Sequence, residues 1–429
     1  MSLLLPGLQR RLTHSSPLLF VFVAGAVAFA AYGSVYALRK PFTAAAFDGM
    51  QLWGVRYKIA LVIAQVAGYA LSKFLGIRII SGLKTGQRAW ALLLLSAVAL
   101  LALLGFALSP PSWGILWLFI NGIPLGMAWG VVFSYLEGRR VTELLAAILC
   151  INFILSSGFV KTVGKLLILD YGVSEFWMPF LAGLLFLPIL LLCVWLLEHL
   201  PPPSAADQVA RRERRPMNQD DRKILFRRYA PGLVLLVGIY LLLTIVRDVR
   251  DNFAVEIWAE LGMGDKASVL TTAEIPIALA VLAVIGALAL LKDNFKALWI
   301  YHAIFIGSAL LIMAATFLFQ QNMLSPMLWM VLSGTGAILP YILFNGVIFD
   351  RLLAAFKEAG NVGFLMYIAD AIGYLGSVAV MLWRNFGHAD MSWLQFFGQL
   401  CWWGAGAVMV LSMLSWVWFA RRAVRVKPA

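Results

Sequence analysis

For most of its 429 residues the chain runs in apolar stretches that are too long for a water-soluble core, each closed by charged residues, Pro or Gly. A helix needs about 20 apolar residues to cross the roughly 30 Å hydrocarbon core of a bilayer. Twelve stretches reach that length, at 17–38, 55–76, 89–108, 113–136, 141–169, 176–198, 229–250, 267–291, 297–319, 326–349, 361–383 and 394–420. They are numbered here as spans 1 to 12. The gaps 109–112 and 320–325 barely allow a turn, so the spans flanking them are expected to run antiparallel. Composition agrees: 62% of residues are hydrophobic and 13% charged, against about 45–50% and 25% in globular chains. The fold class that follows is an all-α polytopic membrane protein. Span 1 contains AFA at 28–30, which mimics a signal-peptide cleavage site. Because the span continues into a motif that recurs later in the chain, it is expected to be retained.

The formal net charge is +13. A nucleic-acid binder would carry such a surplus as a stripe on a polar surface; here the basic residues gather around span ends, so no nucleic-acid partner is expected. Most Lys and Arg fall in alternate loops: the N-terminal tail, 77–88, Arg139 and Arg140, 199–228, Lys292 and Lys296, Arg351 and Lys357, and the C-terminus. The positive-inside rule then places both termini in the cytoplasm, and a bacterial inner membrane is the expected location. Segment 199–228 combines PPP at 201–203, RRERR at 211–215 and no apolar periodicity. It reads as a solvated linker, with a lipid-headgroup or regulatory role as the alternative. Three domains are therefore expected: a six-helix bundle at 1–198, the linker at 199–228, and a second bundle at 229–429.

The two bundles share sequence at one offset. RKPF at 39–42 and RDNF at 250–253 have Arg and Phe in register 211 residues apart, as do Phe133 with Phe344 and Arg140 with Arg351. A 6+6 duplication is the economical explanation, and transporters built from such repeats bind substrate near the bilayer midplane. Cys150, Cys193 and Cys401 stand alone without CxxC spacing, and the four His are scattered, so no metal or other cofactor is expected. No nucleophile–base constellation or phosphate-cradling loop is visible, which makes an enzyme or ATP-driven pump the least expected class.

Ionisable residues within spans cost roughly 2.5–3.5 kcal/mol each on insertion scales, so they face a cavity or a partner. Arg247 and Arg250 lie three residues apart on one helical face. With Arg39 from span 1 they could grip a carboxylate or phosphate through planar, bidentate donors; the alternative is snorkelling anchors that pair with Asp248 and Asp251. Lys40 and Lys58 are expected at the headgroups, with Lys40 and Asp251 also gate candidates. Lys73 in span 2 and Asp370 in span 11 sit at matching depth, as do Lys161 in span 5 and Glu274 in span 8. Each pair is a candidate gate, while Asp370 or Glu274 could instead be a proton-titrating carboxylate, and plain structural pairing remains open for both. Trp113, Trp117, Trp402, Trp403, Trp416 and Trp418 read as an interfacial belt. The glycine-rich segments 121–130 and 333–340 read as close helix packing.

Three segments resemble a known family. The twelve-span, inside-termini layout is similar to the major facilitator superfamily, and YALRKPFTAAAF at 36–47, AGYALSKFLGIR at 67–78 and VRDVRDNF at 246–253 resemble its organophosphate:phosphate antiporter branch. The resemblance implies that Arg39 binds substrate phosphate, that Lys73 faces the pore, and that Arg247 or Arg250 is the second phosphate ligand. Some positions depart from the family. Phe153 stands where the branch has a His ahead of a glycine run, Ile80 is near the place of a loop Asp, and Glu274 in EIP is displaced by a turn.

The leading expectation is a monomeric secondary transporter in the lipid bilayer. It moves a small, anionic solute resembling an organophosphate or carboxylate by rocker-switch alternating access, with inorganic phosphate or a proton as coupling species. The alternatives are a proton-coupled symporter of a sugar, nucleoside or other metabolite, and a non-transporting sensor on the same fold.

Overall fold

The computed structural model describes residues 6–13, 16–81, 83, 85–139, 141–203, 207, 219–356, 362–387 and 390–426. Eleven helices among them are long and apolar enough to cross a membrane. Helix Tyr57–Ser81, whose described apolar part is Tyr57–Ser72, occupies the place of span 2. The protein is thus a mostly helical, multi-pass membrane protein. A two-stranded hairpin, Gln51–Leu52 with Val55–Arg56, joins spans 1 and 2. Much of the large apolar surface stays uncovered, Leu101, Leu192 and Leu290 among it, as lipid-facing side chains should be.

The chain divides into two compact units, Met1–Arg211 with Met263–Ile275, and Arg212–Gly262 with Pro276–Ala429. In the first unit span 1 (Pro17–Ala37) packs on span 6 (Met178–Glu198), and span 2 lies along span 4 (Gly114–Ser134), which also meets span 3 (Arg88–Leu108). Glycines let spans 2 and 4 touch backbone to backbone. A Cβ on Gly68 would lie 2.1 Å from the Phe119 carbonyl oxygen, and one on Gly122 would lie 2.2 Å from that of Gln65. In the second unit span 7 (Gln219–Asn252) packs on span 11 (Val362–Gly387) and span 12, while span 9 (Asn294–Gln320) packs on span 10 (Pro326–Gly346). The short gaps turn as expected: 3₁₀ turn Pro111–Trp113 fills the first, and in the second the Ser325 hydroxyl accepts a hydrogen bond from the Leu328 N–H.

Several spans are interrupted. Span 5 comprises Thr142–Cys150, a 3₁₀ turn Ile151–Phe153 and Leu155–Leu169; span 8 comprises Val269–Thr272 and Glu274–Ala289. Span 12 passes through a π turn, Leu400–Gly404, between Trp393–Gln399 and Ala405–Val426. Such departures from regular α geometry often mark functional positions in helices.

One expectation needs correction. The described helix of span 7 already covers Gln219 to Arg228, residues expected in the linker. The rest of that linker falls largely outside the described residues. Lys40 and Lys58 are packed within the protein, 7% and 4% exposed, and the Lys58 ammonium donates to the Thr43 carbonyl at 2.8 Å. That bond ties the start of span 2 to the loop after span 1. Trp113 and Trp403 are 56% and 80% exposed, as belt residues should be.

Candidate functional site

In the first unit span 1 ends at Ala37, and Arg39 follows directly, its guanidinium over the Tyr69 ring of span 2 at 4.1 Å from the centroid. The backbone there is fixed by buried amides. Gln65 donates to the Arg39 carbonyl at 3.0 Å and to the Asn121 side-chain oxygen at 2.8 Å, while Asn121 donates to the Leu38 and Ala99 carbonyls. Three spans therefore hold the turn that carries Arg39. Gln65 and Tyr69 are four residues apart on one face of span 2, so a single helix supplies both the fixing amide and the ring beneath the guanidinium. Lys73, one turn further on, belongs to the same helix; its side chain lies outside the described residues. Phe153, in the broken turn of span 5, sits with its ring 6.4 and 6.5 Å from those of Tyr32 and Tyr36.

In the second unit Arg247 of span 7 lies over the Tyr341 ring of span 10, 3.9 Å from its centroid. Its Nη2 and Nε donate to Asp248 Oδ1 at 2.5 and 3.2 Å. Tyr240, two turns back on the same helix, stacks on Tyr341 with centroids 5.2 Å apart and donates its hydroxyl to Asp370 of span 11. Asn345 of span 10 donates to the Tyr240 hydroxyl oxygen at 3.3 Å. Three helices thus bring Arg247, Asp248, Tyr240, Tyr341, Asn345 and Asp370 into one polar cluster. Desolvated cation–π contacts of this kind contribute about 2 kcal/mol.

Arg250 is placed differently. It is 4% exposed, its Nη2 donates to the Met330 carbonyl at 3.3 Å, and its Cζ lies 2.8 Å from where a Cβ on Gly334 would stand. Asp251 is half-buried in the last turn of span 7. Of the two candidates for a second anion ligand, Arg247 has the geometry that matches Arg39, a guanidinium on a tyrosine ring from a neighbouring span.

Lys161 and Glu274 both lie in the first unit, on segments that touch. Gly158 and Thr162, on either side of Lys161, both touch the 263–275 segment. A Cβ on Gly158 would lie 2.4 Å from the Leu270 carbonyl oxygen and 2.8 Å from Glu274 Cγ, and the Thr162 hydroxyl donates to the Ala267 carbonyl at 3.0 Å and lies 2.6 Å from the Thr271 hydroxyl. Lys161 and Glu274 are 2% and 8% exposed. Among the described residues no group of three His, Cys, Asp or Glu could hold a metal ion.

Tyr69, Gln65, Asn121, Tyr240, Tyr341 and Asn345 were not singled out from sequence. The signal was available: polar residues inside apolar spans, with Tyr240 seven residues before Arg247 and so on the same helical face.

The arrangement of helices is similar to that of solved transporter structures. The chain superposes on a D-xylose-proton symporter with TM-score 0.59 and 14% identity, over 94% of this chain and 98% of that one. It superposes on the nucleoside transporter NupG with TM-score 0.62 and 14% identity, over 93% and 98%. For the xylose transporter XylE from E. coli in a partially occluded inward-open conformation the values are 0.59 and 13%, over 92% and 99%. The fold is shared with these transporters. By sequence the chain belongs to the family of unknown function DUF5690, whose profile matches residues 41–422. No curated protein matches it in sequence.

Proposed function

We propose that the protein is a secondary transporter of a small anionic solute, resembling an organophosphate or a carboxylate, working by alternating access in a bacterial inner membrane. The observation that carries this reading is the guanidinium laid on a tyrosine ring inside each helical unit, Arg39 on Tyr69 and Arg247 on Tyr341. An arginine held flat by an aromatic ring keeps its outer edge directed for bidentate contact with a planar or tetrahedral anion. Lys161 and Glu274 serve as a gate at the contact of span 5 with the start of span 8. The similar solved structures, a D-xylose-proton symporter and a nucleoside transporter, support a transporter, while the anionic substrate rests on the arginines.

The test uses purified protein in liposomes preloaded with inorganic phosphate and challenged with labelled phosphate, a hexose phosphate, a three-carbon phosphate ester, a dicarboxylate and a sugar acid. Exchange is expected for at least one anion, and Arg39→Ala should slow it about tenfold or more, since a hydrogen-bonded charged contact contributes about 1.5–3 kcal/mol. Exchange that is undiminished in Arg39→Ala rejects the reading.

A second reading has its own observation. The Asp370–Tyr240–Asn345 cluster offers a carboxylate, a hydroxyl and an amide, the donors and acceptors that a polyhydroxylated solute requires. A proton-coupled symporter of a sugar or nucleoside would use that cluster, and labelled xylose and uridine in the same liposomes under a pH gradient distinguish it.

A further inference from the structure

Within the second unit, where span 7 begins and span 12 ends, arginines from both helices meet at one aromatic ring. The Tyr229 ring is 3% exposed, and the Arg228 and Arg422 guanidiniums lie over it with Cζ 5.8 and 5.5 Å from its centroid. Arg422 also lies over the Trp418 ring at 6.0 Å, and the Tyr229 and Trp418 rings meet edge to face with centroids 6.3 Å apart. Gly232 admits that approach, since a Cβ there would stand 2.5 Å from Trp418 Cε3. Beside this pair, Arg227 and Arg421 are exposed. The orientation of a membrane protein depends on how many basic residues lie near a span end. It does not require guanidiniums from two helices to share one buried ring. A guanidinium laid against a ring keeps edge donors for a bidentate contact with phosphate oxygens.

We infer that this end of the second unit binds an anionic glycerophospholipid, with its phosphodiester on Arg228 and Arg422 and its acyl chains along the lipid-facing sides of spans 7 and 12. The apolar half of the site selects a lipid over a free phosphate. Toward the membrane centre from the arginines, Val234 on span 7 is 66% exposed, and Leu414 and Val417 on span 12 are 52% and 49% exposed. Their spacing follows the helical period. Val234 comes two turns after Arg227, and Leu414 and Val417 come two turns and one turn before Arg421, so each helix carries basic and apolar side chains on one face. Because span 7 starts and span 12 finishes at this end, both faces pass from basic to apolar in the same direction. A phospholipid has that same order of charge and chain. Each basic residue at a membrane surface strengthens the attraction for an anionic lipid about fivefold, so a headgroup of net negative charge is held in preference to a zwitterionic one. The bound lipid bridges the start of span 7 and the end of span 12, whatever solute the protein moves.

The test uses native mass spectrometry of the full-length protein, delipidated in detergent and titrated with phosphatidylglycerol, with phosphatidylcholine of the same acyl chains, or with glycerophosphate as the headgroup without tails. Wild type is expected to retain phosphatidylglycerol at least about fivefold more tightly than phosphatidylcholine, and the double variant Arg228→Gln with Arg422→Gln to lose that preference. Arg10→Gln with Arg11→Gln removes the same charge from exposed positions of helix Pro6–Thr13 in the first unit, and should leave the preference intact. Equal retention of the two lipids by wild type, or the same loss in both double variants, overturns the inference. Glycerophosphate held through Arg228 and Arg422 as tightly as phosphatidylglycerol overturns the lipid as the ligand. Arg228→Lys with Arg422→Lys keeps the charge that orients the chain and removes the planar donors, so it guards against misfolding of the glutamine variant. It is expected to weaken phosphatidylglycerol retention several-fold; retention equal to wild type overturns the headgroup site and leaves only a charged span end. Phosphatidylglycerol should also raise the melting temperature of wild type more than that of the glutamine double variant, and an equal rise in both overturns the inference.

Discussion

Arg247 shows how much of the chemistry depends on the shape of a side chain as well as its charge. Its guanidinium lies flat on Tyr341 and reaches Asp248 Oδ1 with two donors. A lysine would bring the same charge as a point on a flexible stem, without the face for the ring or the second donor. Arg247→Lys is therefore expected to reduce anion exchange about tenfold, the equivalent of about 1.4 kcal/mol of a charged hydrogen bond, with protein yield and thermal unfolding close to wild type. Equal exchange rates would mean that charge alone suffices. At this scale the sequence was informative about charges and silent about their supports. Arg39, Arg247, Asp370 and Glu274 stood out because ionisable residues are rare in apolar runs. Tyr341 and Asn345 did not, since their roles arise only when spans 7, 10 and 11 meet. The choice between Arg247 and Arg250 could not be made from spacing, because both lie on one helical face; Gly334 distinguishes them, by admitting Arg250 against the backbone of span 10.

Among the helices, the pairing of spans 2 and 4 is the tightest packing in the first unit. Gly68, Gly122 and Gly126 each face a neighbouring backbone or side-chain atom nearer than a Cβ tolerates. In a bilayer, lipid tails are as apolar as leucine, so association rests on close contact of small residues. Gly122→Leu should push span 4 off Gln65 and Tyr69, costing about 1–3 kcal/mol by overpacking. Because Gln65 and Asn121 also fix the Arg39 turn, the same change should reduce both the melting temperature in detergent and anion exchange. A drop in only one of the two would separate packing from site support. The existence of the spans was legible from apolar length, and the glycine-rich 121–130 segment was legible as a packing surface. The breaks within spans 5, 8 and 12 were not: nothing in local hydrophobicity marks a 3₁₀ turn at Ile151–Phe153 or a π turn at Leu400–Gly404, which are set by what the helix packs against. The helical start of span 7 at Gln219 was hidden by a charge density that reads as linker.

For the molecule as a whole, the organising fact is that the chain leaves the second unit at Gly262, spends 263–275 packed with the first, and returns at Pro276. Thr162 and Thr271 mark that contact with hydroxyls 2.6 Å apart. A transporter that alternates access must break such a contact in one of its states. The double variant Thr162→Cys with Thr271→Cys is expected to cross-link under mild oxidation and to stop anion exchange, with activity restored by reducing agent. Full exchange by the cross-linked protein would show that the contact is static. The repeat at an offset of 211 residues led to the expectation of two bundles, but the placement of 263–275, where Gly158 admits the Leu270 carbonyl, had no sequence signature. That excursion also bears on how the protein is made. Span 5 is synthesised about a hundred residues before 263–275 leaves the ribosome, so the first bundle is already available as a template when the segment emerges.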